Sequence, residues 1–102
     1  MILKRYNIDK YLENEIIKLP KGAKLLAVEL ERIWGLYHTY VYVLVDPNIK
    51  TTENYDFKLC YFRGEENNNK EITDEYTYLG FSSTKTASDE NLFVHVFYKK
   101  LV

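Results

Sequence analysis

The run IIKLPKGAKLLAVELE, residues 16–31, decides how this chain folds. Two stretches rich in Ile, Leu and Val meet at Pro20-Lys21-Gly22. Pro20 has no N–H to give a ladder, so a strand ends there, and Gly22 can take the positive φ that a tight reversal needs. The segment therefore reads as a β-turn between two strands. Beyond it, Leu26, Val28 and Leu30 alternate with Ala27, Glu29 and Glu31. That period of two belongs to a half-buried strand, and it predicts a strand over 24–31 with Leu26 and Val28 in the core.

The same pattern continues outward. From Thr39 to Val45 both parities are apolar, which predicts a strand over 40–45, covered on both faces, with Val43 inside. Asp46-Pro47-Asn48 closes it. Tyr55, Phe57, Leu59 and Tyr61 oppose Asp56, Lys58, Cys60 and Phe62, so 56–62 is a further strand ended by Gly64. TYLGFSS (77–83) and NLFVHVFYKK (91–100) supply two more, the latter with Val94 in the core. A first strand is expected at about 2–8. Between 8 and 16, helical spacing of Ile8, Tyr11, Leu12 and Ile16 with Asp9 as a cap makes a short helical turn the competitor of a hairpin loop. EENNNKEITDE (65–75) is acidic and asparagine-rich and reads as a mobile solvent loop. These elements predict one all-β domain over 1–102, a small antiparallel sandwich or barrel of about six or seven strands.

Composition narrows the function. In 102 residues, 46% are apolar, enough for one core. Lys and Arg number 14 against 15 Asp and Glu, a net charge of −1, so no global field gathers phosphates and direct nucleic-acid binding is not expected. The acidity is also too mild for a mimic of the DNA backbone. One cysteine, Cys60, forms no internal disulfide, and MILKRYNIDK has too short an apolar run for a signal peptide. The longest apolar run, YVYVLV at 40–45, is far too short to span a bilayer, so the expectation is a cytoplasmic protein without membrane contact. Ten tyrosines suit strands first, and their number also suits a contact surface.

Catalytic material is sparse. His38 and His95 have no neighbour at ligand spacing, so no metal is expected, and the isolated glycines form no phosphate loop. No cofactor and no enzymatic activity are expected. His95 shares the parity of Phe93 and Phe97 and reads as a sheet-face histidine hydrogen-bonded to a neighbour. Cys60 and His95 could meet across strands as a thiolate pair, against the commoner reading of Cys60 as a buried, inert thiol. The densest cluster is ERIWGLYHTY (31–40), with the only Trp, two Tyr, a His and an Arg around Gly35. It is either a contact loop presented by the sheet or a lid on the core. The candidate binding residues are Arg32, Trp34, Tyr37, His38, Tyr40, Tyr61 and Arg63.

KLPKGAKLLAVELE, YVLVDP, YLGF and LFVHVF, in that order, resemble a family of short phage and prophage proteins of unassigned function. In that family a leucine-proline-glycine turn leads into one strand, a second ends in leucine-valine-aspartate-proline, and a late tyrosine-glycine pair precedes a phenylalanine-valine-x-histidine strand. The likeness covers most of 16–98. Departures are the inserted IWGLYHTY and the stretch CYFRGEENNNKE, which stands where the family shows a small glycine-rich turn. The resemblance implies phage origin and a β fold, and it implies no reaction. The leading expectation is a non-catalytic binding protein acting in the host cell on a host protein of an immune system. The alternatives are a protein that sequesters a small nucleotide-like signal, with Arg63 or Arg32 on its phosphate, and a minor virion component. A homo-oligomer is possible and would favour the sequestering reading, because composite pockets form at interfaces.

Overall fold

The computed structural model describes residues 1–9, 15–67 and 70–101. The described residues form eight strands: β1 (Ile2–Asn7), β2 (Ile17–Pro20), β3 (Lys24–Ile33), β4 (Leu36–Val45), β5 (Thr52–Arg63), the two-residue β6 (Glu66–Asn67), β7 (Thr77–Lys85) and β8 (Asn91–Lys100). Sheet A is three-stranded in the order β1-β4-β3, and sheet B runs β2-β5-β8-β7 with β6 paired to β5. Every pairing is antiparallel. The result is the expected all-β sandwich. The competing helical turn at 8–16 falls largely on residues 10–14, outside the described residues, and Ile8 prolongs β1 by donating its N–H to the Thr39 carbonyl at 2.9 Å.

The core lies between the sheets. Val41, Val43 and Val45 of β4 meet Tyr55, Phe57 and Leu59 of β5 and Val94 and Val96 of β8, with Leu19, Leu30 and Ile8 filling the ends. The alternation read from 55–62 holds: the odd positions point inward and the even ones form the outer face of sheet B. β4 is the centre of sheet A, but its outward Tyr40, Tyr42 and Leu44 are only half-buried, so the strand expected to be covered on both faces is fully buried on one.

The turn at Pro20-Lys21-Gly22 changes sheets. β2 pairs with β5 in sheet B while β3 pairs with β4 in sheet A, so the turn is a corner and not a hairpin. Gly22 has φ +80°, the Ala23 N–H reaches the Pro20 carbonyl at 3.1 Å, and Glu53 accepts the Gly22 N–H at 2.9 Å. Just past the corner the expected alternation breaks. The β3–β4 register shifts between Leu25 and Ala27, so Leu25 packs on the core and Leu26 is 51% exposed. A bulge inserts one residue and reverses the parity behind it, so Val28 and Leu30 still face inward while Leu26, expected in the core, does not.

β3 and β7 bring the sheets together along one side. Leu30 N–H donates to Ser82 Oγ at 2.9 Å, Arg32 reaches the Lys85 carbonyl at 3.4 Å, and a Cβ added at Gly80 would meet Val28 Cγ2 at 3.9 Å. The second bulge, between Tyr78 and Gly80, lies on this seam. β5 and β7 both pair with β8, so they run in the same direction with β8 between them, and the chain from 64 to 76 must cross from one end of the sheet to the other.

Candidate functional site

The cluster 31–40 is a tight hairpin and not a long loop. β3 extends to Ile33, β4 begins at Leu36, and Ile33 pairs with Leu36 across Trp34-Gly35. Trp34 has φ +52° and Gly35 φ +77°, the two positive angles of a type I′ turn, the form whose twist matches paired strands. Gly35 suits this turn. Trp34 does not, because a bulky side chain rarely adopts the left-handed region. Its side chain is 96% exposed at the apex, which excludes the reading as a core lid. Leu36 beside it is exposed as well, and Arg32 pairs with Tyr37 one step below, both exposed.

The remaining candidates lie elsewhere. His38 Nδ1 sits 2.9 Å from Asp9 Oδ2, and Asp9 Oδ1 accepts the Thr39 N–H at 2.9 Å. Asp9 also takes a hydrogen bond from Asn7 Nδ2 at 3.1 Å, so this pair fastens the end of β1 to the base of the hairpin. Tyr40 lies flat under Arg5, whose guanidinium carbon is 4.0 Å from the ring centroid. Tyr61 is half-buried: its ring packs on the core and its hydroxyl meets Thr39 Oγ1 at 3.2 Å. Burial, the leading cause, pushes its phenol pKa up. Arg63 stands at the far end of β5, paired with Glu66 at 3.0 Å. Of the seven candidates, the hairpin tip therefore gathers Arg32, Trp34 and Tyr37, together with Leu36, which its plain strand pattern did not single out.

The outer face of sheet B carries a second cluster. His95 offers Nδ1 to the Tyr78 hydroxyl at 2.9 Å, stacks on Phe81 at 5.5 Å between centroids and meets the edge of Phe62 at 5.6 Å. The sheet-face reading of His95 holds. Cys60 is its direct cross-strand partner, yet the imidazole turns to Tyr78, and burial raises the thiol pKa, the reverse of what an activated nucleophile requires. Phe81 is 58% exposed, Tyr78 48% and Phe62 40%, a contiguous aromatic face. Its members come from β5, β7 and β8, of which β5 is distant from the other two in sequence, so only the shared parity of Phe93, His95 and Phe97 was readable beforehand.

The acidic segment 65–75 is tied down at several points. β6 pairs with β5, Glu75 pairs with Lys99 at 2.9 Å, and the Tyr76 hydroxyl donates to Asp56. Burial, with that hydrogen bond next, pushes the Tyr76 pKa up to about 12. Residues 68 and 69 lie outside the described residues. Among the described residues, no group of three or more His, Cys, Asp or Glu could hold a metal ion, and no helix is long and apolar enough to cross a membrane. Compared with protein-family models, curated proteins and solved structures, the chain matches none.

Proposed function

We propose that this chain is a non-catalytic binding module that engages a protein partner through the β3–β4 hairpin tip. One observation carries the reading: Trp34 is 96% exposed and held at φ +52° in a turn that Asn or Gly would occupy without strain. A large apolar side chain in a strained backbone position, gaining nothing from burial in the free protein, is explained by a surface that completes it. Trp and Arg are the residue types that anchor interfaces, and Arg32 stands on the same hairpin. A rigid hairpin also loses little entropy when it docks. The likeness to short phage proteins supports a host protein as the partner, and its role as a component of an immune system belongs to the same proposal.

The test begins with the tagged protein and its Trp34→Ala variant, each used to capture host proteins. A partner retained only by the native protein is then purified and titrated with both. The expected loss on Trp34→Ala is about 2 kcal/mol or more of binding energy. Equal affinity of the two proteins refutes the hairpin as the docking element. Expression of the native protein, but not the variant, should also restore phage plating on a defended host.

A further inference from the structure

The outer face of sheet B holds a groove of about 460 Å³ between the segment 70–76 and the strands β5 and β8, at Lys58 and Lys99. Lys58, Lys70 and Lys99 line it, opposed by Glu71 and Glu75. Glu75 is already engaged by Lys99 at 2.9 Å, whereas Lys58 and Lys70 make no ion pair among the described residues. Lys58 Nζ lies 5.5 Å and Lys99 Nζ 5.2 Å from the centroid of the Tyr76 ring, which holds both ammonium groups at the groove wall. Lys58 and Lys70 also offset part of the upward push of burial on the Cys60 thiol, so both charges bear on one stretch of the face.

This basic end adjoins the exposed rings. Phe97 is the cross-strand partner of Lys58, and Tyr78 that of Phe97, with their rings 5.1 Å apart. From Tyr78 the surface continues to His95 and Phe81. A phosphate acceptor and an aromatic platform thus lie side by side on one face.

We infer that this face binds a small phosphorylated nucleoside, its phosphate at Lys58 and Lys70 and its base against Tyr78 and Phe81. The ammonium groups supply charge-assisted hydrogen bonds to phosphate oxygens, and Thr73 in the groove adds a hydroxyl donor. The exposed rings supply stacking area that any base can use. The groove holds three lysines beside Glu71 and Glu75 and the net charge of the chain is −1, so the site suits one or two phosphates and not a polymer backbone. The site differs from the arginine positions suggested by the sequence: Arg63 is spent on Glu66, and Arg32 stands on the other sheet.

Calorimetric titration of the whole protein tests it, with adenosine 5′-monophosphate, adenosine and inorganic phosphate as probes. The monophosphate should bind about tenfold or more tightly than either fragment. Lys58→Gln and Lys70→Gln should each weaken it severalfold, and Phe81→Ala should reduce its advantage over inorganic phosphate. Lys70 lies outside the strands, so its variant remains informative if Lys58→Gln disturbs the sheet. The assignment is overturned by no saturable binding into the millimolar range, by affinity unchanged in both lysine variants, or by equal affinities for monophosphate and phosphate. A single-stranded oligonucleotide whose affinity grows with its length would likewise overturn the small-ligand assignment.

Discussion

The two outer faces of this sandwich solve the same problem differently. On sheet A, Arg5 lies over Tyr40 and bridges Glu29 at 2.8 Å and Glu31 at 3.2 Å, while the Tyr42 hydroxyl donates to Glu29 at 3.1 Å. Charged and hydroxyl groups from all three strands cover the aromatic rings. On sheet B the corresponding positions are Phe62, Tyr78 and Phe81, which pack around His95 and remain open to solvent. A sheet face needs no third layer when polar side chains cap it. A face left aromatic over several strands is the kind of surface that binding sites use, which the proposed ligand site takes up.

The comparison sharpens most with the largest effect, between the two sides of β5. Phe57 is fully buried, and Phe57→Ala should lower stability by about 3–5 kcal/mol in urea denaturation. If the outer rings are a binding surface, Phe81→Ala should change the midpoint by well under that, about 0.5 kcal/mol. A loss as large as that of Phe57→Ala would make the outer face a stabilising layer. Sheet A is next: Arg5→Glu places a third acid beside Glu29 and Glu31 and removes the cover from Tyr40. The variant should be less stable, and by less at high salt because these groups are partly exposed.

At the hairpin the sign reverses. Trp34→Asn replaces a strained residue with one that accepts positive φ, so stability should rise by about 1 kcal/mol while partner binding falls. A variant that is less stable would mean that the ring supports the hairpin. The smallest effect lies at the crossover on sheet B. The folded-state pKa of Tyr76 is about 12, above its ordinary 10.0, so its hydrogen bond to Asp56 contributes fully below about pH 10. That contribution is lost as pH rises through 12. Ultraviolet titration should show one late tyrosine missing from Tyr76→Phe, and the variant should be less stable at neutral pH by about 1 kcal/mol or less, the scale of one hydrogen bond.

Acid acts at the corner between the sheets. The Gly22 N–H, and then Lys100, hold the Glu53 carboxylate below its ordinary pKa of 4.5. The corner is therefore anchored above that pH and loosens as pH falls through the lower folded-state value, which Glu53→Gln should show as a flatter acid limb of the stability profile.

The sequence by itself determined the local geometry. Period-two runs set which residues of β5 and β8 face inward, Pro20 and Gly22 set a turn, and the succession of short apolar runs between turn residues set an all-β class, because each signal is written within a few consecutive residues. Short range also explains where reading stopped. The bulge that turns Leu26 outward depends on the register against β4, which adjacent residues do not encode. Gly35 suggested a flexible loop, and only pairing of Ile33 with Leu36 tightened it into a two-residue turn with Trp34 exposed. Tyr61 and Tyr40 look alike in the chain, yet one packs on the core and the other lies under Arg5 on an outer face. Neither the corner that sends β2 and β3 to different sheets nor the meeting of Lys58, Lys70, Tyr78 and Phe81 on one face is visible locally. Both arise from pairings between strands far apart in sequence, and only the folded chain can choose among such pairings.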